Sequence, residues 1–130
     1  MGRISLKRIL IIWCLSIILI MITFGNITWG ADGERVFKKC VSCHSLTKNK
    51  MGPALGNIFG EKAGSVKGYR YSKAMRNSDI IWTDCTLDKF LLKPRKYIKG
   101  TKMRFFGLRK KDQREAVIKY LKENQNNGKK

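Results

Sequence analysis

The chain has 130 residues, room for one small domain. It carries 28 Lys and Arg against 9 Asp and Glu, a formal +19, which excludes a cationic partner and suits an anionic one: nucleic acid, acidic lipid or an acidic protein surface. A hydrophobic content of 43% supplies enough apolar side chains for a packed core, so the charge does not imply disorder.

The chain opens with Arg3, Lys7 and Arg8 and no acid, followed from Ile9 to Phe24 by a nearly pure run of Ile, Leu, Trp and Met. A polar exit, "ITWGAD", comes next. A basic start, an apolar middle and small residues at the exit are the layout of a secretory signal, here cut before Ala31 with Thr28 and Gly30 as the small positions. The alternative is an uncleaved anchor. No charge interrupts residues 9–31, and as a helix that stretch would be roughly 34 Å long, enough to cross a bilayer. The expected division is therefore 1–30 as signal peptide or membrane anchor and 31–130 as the functional domain. Either reading exports the domain, to the periplasm in a bacterium, and keeps the basic end in the cytoplasm. An exported protein rarely meets nucleic acid, so that partner class drops out.

The exported part keeps Cys40, Cys43 and Cys85, an odd number and poor material for a disulfide framework. Asp32 is placed to cap a first helix, with Phe37, Cys40 and Val41 on one face. Residues 45–70 are rich in glycine and show no sustained period. They read as irregular loops that need something to wrap around. A short helix fits 72–78. "TDCTLDKFLL" starts at a Thr83 or Asp84 cap and puts Leu87, Phe90 and Leu91 at helical spacing. Pro94 ends that helix and starts the short turn "PRKYI", which Gly100 breaks. Asp112 with Glu115 three residues on resembles a capping arrangement for a last helix, where Val117, Tyr120 and Leu121 share a face. No strand pattern occurs. The fold class is all-α: a few helices with narrow apolar faces and long loops, whose core a large apolar cofactor would complete.

The chemistry concentrates in "CVSCH", Cys40 to His44, which holds the sole histidine of the chain. Cys-x-x-Cys-His is the attachment signature of a c-type haem. Two thiols one helical turn apart reach two vinyl groups on a porphyrin edge, and the adjacent imidazole then meets the iron. A thiol redox pair is one alternative, but it wants a βαβ pattern that is missing. Zinc held by Cys40, Cys43, His44 and Cys85 is another, and adjacent Cys43 and His44 are a poor pair for one tetrahedral ion. With the histidine used, a sixth ligand falls to a methionine. Met103 sits in a loop bounded by Gly100 and Gly107, whereas Met51 and Met75 have no special context.

In order along the chain, "GERVFKKCVSCH", "MGPALGNIFGEKAG", "GYRYS", Trp82, "KPRKYIKGTKMRFFG" and "YLKEN" resemble the class I cytochromes c of the mitochondrial type that bacteria also export. The resemblance spans residues 33 to about 123. It implies one haem c attached at Cys40 and Cys43, with His44 and Met103 as iron ligands. It also implies that the Pro53 carbonyl receives the His44 ring N–H, that Tyr71 and Trp82 hydrogen-bond a propionate, and that Thr101 helps wall the crevice. Phe37 and Tyr120 would meet where the first and last helices cross. Four positions depart from the family pattern. Glu61 replaces an arginine near the propionates, Met75 an internal asparagine and Lys99 a proline. Phe90 replaces a tyrosine that reaches toward the methionine sulfur. Cys85 is read as a partly buried thiol at a helix start.

With both axial positions held by protein, no site is left open for substrate, and His/Met ligation favours a high potential. The resemblance therefore implies a non-enzymatic, monomeric electron carrier shuttling between a quinol–cytochrome c oxidoreductase and a terminal oxidase. Lys38, Lys39, Arg95, Lys96, Lys99, Lys102, Lys110 and Lys111 flank the exposed haem edge in the family and would steer the protein to acidic docking faces. The alternative is a haem peroxidase or gas sensor in which Met103 leaves the iron easily.

Overall fold

A computed structural model of the protein describes residues 31–125, together with Trp13. The expected signal or anchor, residues 1–30, lies outside the described residues apart from Trp13. Among the described residues no helix is long and apolar enough to cross a membrane.

Among residues 31–125 five helices follow in chain order: α1 Gly33–Phe37, α2 Lys73–Arg76, α3 Asp84–Leu92, α4 Pro94–Tyr97 and α5 Lys111–Glu123. One isolated antiparallel bridge joins Lys62 and Ile81. Asp32 caps α1 by accepting from the Glu34 N–H at 3.0 Å. The helix is shorter than its apolar spacing suggests. After Phe37 the backbone tightens into turns, with Lys39 N–H on the Val36 carbonyl and Cys40 N–H on that of Phe37. Val36 and Phe37 are buried within α1, and past the tightening Val41 is exposed, against the sequence pattern.

α1 lies against α5. Gly33 makes the approach possible, since a Cβ there would collide with the Ala116 carbonyl and stand 2.7 Å from Tyr120 Cβ. One turn further on, the Phe37 and Tyr120 rings meet with centroids 5.1 Å apart. Val117, Ile118 and Leu121 form the buried face of α5. The helix starts one residue before the expected cap. Lys110 occupies the N-cap without a side-chain bond, and Asp112 sits inside the first turn, where its charge faces the positive end of the helix dipole. Glu115 does not reach back to a cap; it pairs with Lys111 at 3.2 Å.

α3 has the expected start at Thr83. Thr83 and Thr86 exchange side-chain and backbone hydrogen bonds as a capping box, at 3.2 and 2.7 Å. Leu87, Phe90 and Leu91 are buried, as their spacing requires. Cys85 corrects the partly buried expectation: it is exposed. Two residues before Leu87, it points to the opposite side of the helix.

Arg114 joins α3, α5 and the loop between α4 and α5. Its side chain is only 8% exposed and its Nε donates to Asp88 at 2.7 Å. A second nitrogen, Nη1, donates to the carbonyls of Leu108 and Arg109 at 3.0 and 2.9 Å. A buried guanidinium is tolerable when its donors are met this fully.

Residues 45–70 are indeed loops, ordered by side chains that replace a ladder. Ser45 Oγ accepts from the Thr47 and Lys48 N–H groups. Asn49 bridges two loops, accepting from Ala54 N–H at 2.9 Å and donating to the Lys67 carbonyl at 3.0 Å. Gly60 N–H on the Trp82 carbonyl and Ala63 N–H on the Ile80 carbonyl dock this region beside the entry to α3.

The loop after α4 is pinned at its far end. Leu108 N–H donates to the Leu91 carbonyl at 2.8 Å, and Gly107 adopts φ +103° against the Leu92 carbonyl. A Cβ at Gly107 would meet both strain and a backbone atom that cannot move without bending α3. Gly60 also has a positive φ, +79°, but with open space around it. Gly107→Ala should therefore cost at least about 2 kcal/mol, and Gly60→Ala about 1 kcal/mol. Guanidinium unfolding of the cofactor-loaded protein measures both. Equal losses would mean that the Leu92 contact contributes nothing.

Candidate functional site

The contacts of α5 with α1 and α3 leave one side of the helices open. The helices and the loops surround a cavity of about 500 Å³, within the roughly 300–1,000 Å³ range of cofactor and ligand sites. Its inner wall is apolar, built from Leu55, Ile58, Leu87, Phe90 and Leu91 among others. All eight residues singled out from the sequence line it: Cys40, Cys43, His44, Pro53, Tyr71, Trp82, Thr101 and Met103.

The thiols and the imidazole are delivered by the turns that follow α1. Cys43 and His44 N–H groups both donate to the Cys40 carbonyl, at 3.1 and 2.8 Å. One tight turn thus fixes both sulfurs and the ring beside each other. Burial, the larger effect, and the neighbouring Cys43 push the Cys40 thiol up to about 11, against the opposing pull of Lys39. Such a shift favours the protonated thiol at neutral pH. The zinc alternative fails on geometry. Among the described residues no three His, Cys, Asp or Glu side chains are disposed around a common point, and Cys85 faces solvent.

His44 Nδ1 lies 2.8 Å from the Pro53 carbonyl. A carbonyl only accepts, so Nδ1 carries the proton and donates, and Nε2 keeps its lone pair. Burial pulls the His44 pKa down more than the Pro53 bond raises it, so the ring is neutral at neutral pH. A neutral imidazole with one nitrogen anchored and the other free is the form that binds metal. The residue before Pro53 completes the seat. A Cβ at Gly52 would stand 2.6 Å from His44 Nδ1 and 2.7 Å from Nε2, so only glycine lets the backbone lie against the ring. Gly52 N–H also donates to the Cys43 carbonyl at 2.7 Å, tying this loop to the thiol turn. Nothing in the sequence singled out Gly52 for that purpose; its place directly before Pro53 was the available signal.

Opposing donors come from the loop after α4. Thr101 Oγ1 accepts from the Met103 N–H at 3.3 Å, which orients the backbone at the methionine. The structure brings Met51 and Met75 to the cavity wall as well. They differ from Met103 in setting. Met51 is 73% exposed and adjoins Gly52, on the imidazole's own side, while Met75 is buried in α2. Met103 is partly buried on a loop one residue thick. That loop, with Thr101, Lys102 and Arg104, also lines a surface groove on its other side.

At a further part of the wall, Trp82 packs on Phe90 with ring centroids 5.0 Å apart. Burial is the main cause that pushes the Tyr71 phenol up to about 12, so it remains a hydrogen-bond donor. Glu61 and Lys62 reach the rim, and Lys62 pairs outward with Asp79 at 2.8 Å. Phe90 and Met75 make that side of the wall apolar where the family pattern has a tyrosine and an asparagine.

The donor set, the apolar wall and the single anchored imidazole suit a flat, largely apolar metallo-cofactor such as haem. Comparison with known proteins points the same way. The family model described as "Cytochrome c" matches residues 30–125. Cytochrome c of Sesamum indicum is 48% identical over 96 residues, covering 71% of this chain and 86% of that protein. Cytochrome c2 of Afifella marina is 44% identical over 98 residues, covering 71% and 79%. Among solved structures, cytochrome cH from Methylobacterium extorquens superimposes with a TM-score of 0.69 at 37% identity, covering 72% of this chain and 99% of that one.

Gly52→Ala should push the His44 ring off the Pro53 carbonyl. The cofactor-loaded variant should accumulate in lower yield and show a high-spin fraction in its ferric spectrum. A variant with wild-type yield and spectrum would show that the Gly52 contact imposes no constraint on the ring.

Proposed function

The chain belongs to the cytochrome c family, and on that premise we propose that it is an exported carrier that takes single electrons from a quinol–cytochrome c oxidoreductase and passes them to a terminal oxidase. Members of the family hold one covalently attached haem c and are electron carriers, not enzymes. The peroxidase or gas-sensor alternative therefore has no support from the family. The observation that supports the carrier reading is the cavity that, among the described residues, gathers both thiols, the imidazole and the Met103 thioether.

In this reading the haem supplies a one-electron iron couple, and the chain holds, insulates and presents it. Cys40 and Cys43 tether it through thioethers. His44, held by Pro53 and Gly52, offers Nε2 to the iron, and Met103 offers its sulfur from the facing loop. A thioether favours the ferrous state, and the apolar side chains of the wall would limit reorganisation around the iron. Tyr71 and Trp82 donate to a propionate, and Thr101 closes the crevice. Residues 1–30 act as the export signal or as an anchor, and the domain works in the periplasm. The basic side chains around the crevice, Lys39 and Lys102 among them, steer it to acidic faces.

The experiment separates attachment from ligation. Haem should stay with the chain through acid–acetone extraction, and a mass measurement on the exported protein reports both haem addition and any cut before Ala31. Met103→Ala should lower the reduction potential and open the sixth position to added ligands, while Met51→Ala and Met75→Ala leave both near wild type. If Met51→Ala or Met75→Ala produces that change and Met103→Ala does not, the ligand assignment is wrong.

A further inference from the structure

The loop that carries Met103 has two faces. Along residues 101–106 burial alternates strictly: Thr101, Met103 and Phe105 are partly buried, and Lys102, Arg104 and Phe106 are exposed. Solvent exposure therefore alternates along the segment, while Thr101, Lys102, Met103 and Arg104 border both the cavity and the groove outside it and Phe106 borders the groove alone. The outward face is two cations followed by an aromatic. Phe106 is 94% exposed, far beyond Met51 at 73% or Ile81 at 45%. Neither end of the segment lets it turn in. Gly107 and the Leu108-to-Leu91 hydrogen bond fix the register, and Leu108 fills the buried position beyond. Phe106, Lys102 and Arg104 share a surface groove of about 600 Å³ with Arg95. No ring contact and no cation–π contact engages Phe106 among the described residues.

Leaving a phenyl ring in water forgoes a large apolar stabilisation that burial against a partner would return. A ring framed by three cations and no acid selects what that partner can be. We propose that Phe106 is an apolar anchor for a protein partner whose docking face presents an apolar recess ringed by carboxylates. The inference rests on the carrier reading and refines it. In a small, transient interface one central aromatic sets how long the complex lasts, and the charges around it set how often it forms. Arg95, Lys102 and Arg104 bring the acidic face in, and Phe106 holds it. The groove lies directly outside Met103, so the held complex is centred on the loop that closes the haem site.

The test uses the haem-loaded protein and detergent-solubilised membranes of the organism that makes it, with oxidation followed against protein concentration at low and high salt. Phe106→Ala should raise KM about tenfold, leave kcat and the reduction potential unchanged, and keep its ratio to wild type across the salt range. Phe106→Leu should recover most of the loss. Arg104→Glu should also raise KM, but its effect should shrink as salt screens it. Ile81→Ala controls for loss of an exposed apolar side chain outside the groove and should behave as wild type. The inference is overturned if Phe106→Ala stays within twofold of Ile81→Ala, or if its effect fades with salt as that of Arg104→Glu does. It is also overturned if the substitution spares KM while abolishing binding to phosphatidylglycerol vesicles, which makes the ring a lipid anchor, or while dissolving a dimer in sedimentation, which makes it a self-contact. If the wild-type protein is not oxidised by the membranes at all, the carrier reading itself fails and the anchor fails with it.

Discussion

The bond from His44 Nδ1–H to the Pro53 carbonyl constrains more of this molecule than any other single contact. It joins the turn after α1 to the glycine-rich loops, and it leaves one imidazole nitrogen free and aimed at the cavity. The contacts around it are of the same kind. Gly52 N–H holds the Cys43 carbonyl, and the Leu55 and Gly56 N–H groups reach back to the Ser45 and Leu46 carbonyls. Asn49 then ties this loop to Lys67. Loops without ladders are thereby fixed around one side chain. Backbone groups and the side chains of Ser45 and Asn49 together satisfy the polar groups of these loops and hold the ring in place.

The helices serve the same end from the other side. Each has a narrow apolar face, and a pair of them meets only where small or flat residues permit, as at Gly33 and between Phe37 and Tyr120. The remaining apolar side chains, including Leu87, Phe90 and Leu91, line the cavity as well as the core. The group that fills the cavity is then part of the core, and attaching it covalently makes that part of the core permanent.

Much of this was legible in the sequence, for reasons that differ by residue. The capping threonine and the i, i+3, i+4 spacing of Leu87, Phe90 and Leu91 obey local rules, and α3 starts and packs as they require. That these side chains would gather at one cavity was legible because their chemistry is dense: two thiols and the one imidazole in a pentapeptide, and one methionine in a glycine-bounded loop. Legibility failed where tertiary geometry overrode local pattern. Val41 has helical spacing, but the backbone tightens after Phe37, and past the tightening Val41 is exposed. Asp112 looks like a cap, but α5 begins a residue earlier, because Arg114 holds the preceding Leu108 and Arg109 carbonyls and fixes where the chain enters the helix. Gly52 and Arg114 matter through partners far away in sequence, so no local pattern could reveal them.

The segment from Thr101 to Leu108 shows how few residues can meet two opposed demands. The cavity needs soft, apolar or shielded groups facing inward, and the surface needs charge. A helix would spread these around a cylinder, whereas an extended strand separates them with a period of two. Register then matters, because a slip of one residue would exchange the partly buried Met103 and Phe105 with the exposed Lys102 and Arg104. The loop has no neighbouring strand to hold its register. Its ends do so instead: Gly100 and Gly107 adopt backbone angles that other residues resist, and Leu108 is fastened to α3 by its N–H and, through its carbonyl, to Arg114. Arg114, buried and paired with Asp88, thus helps to set the course of this loop although it does not line the cavity.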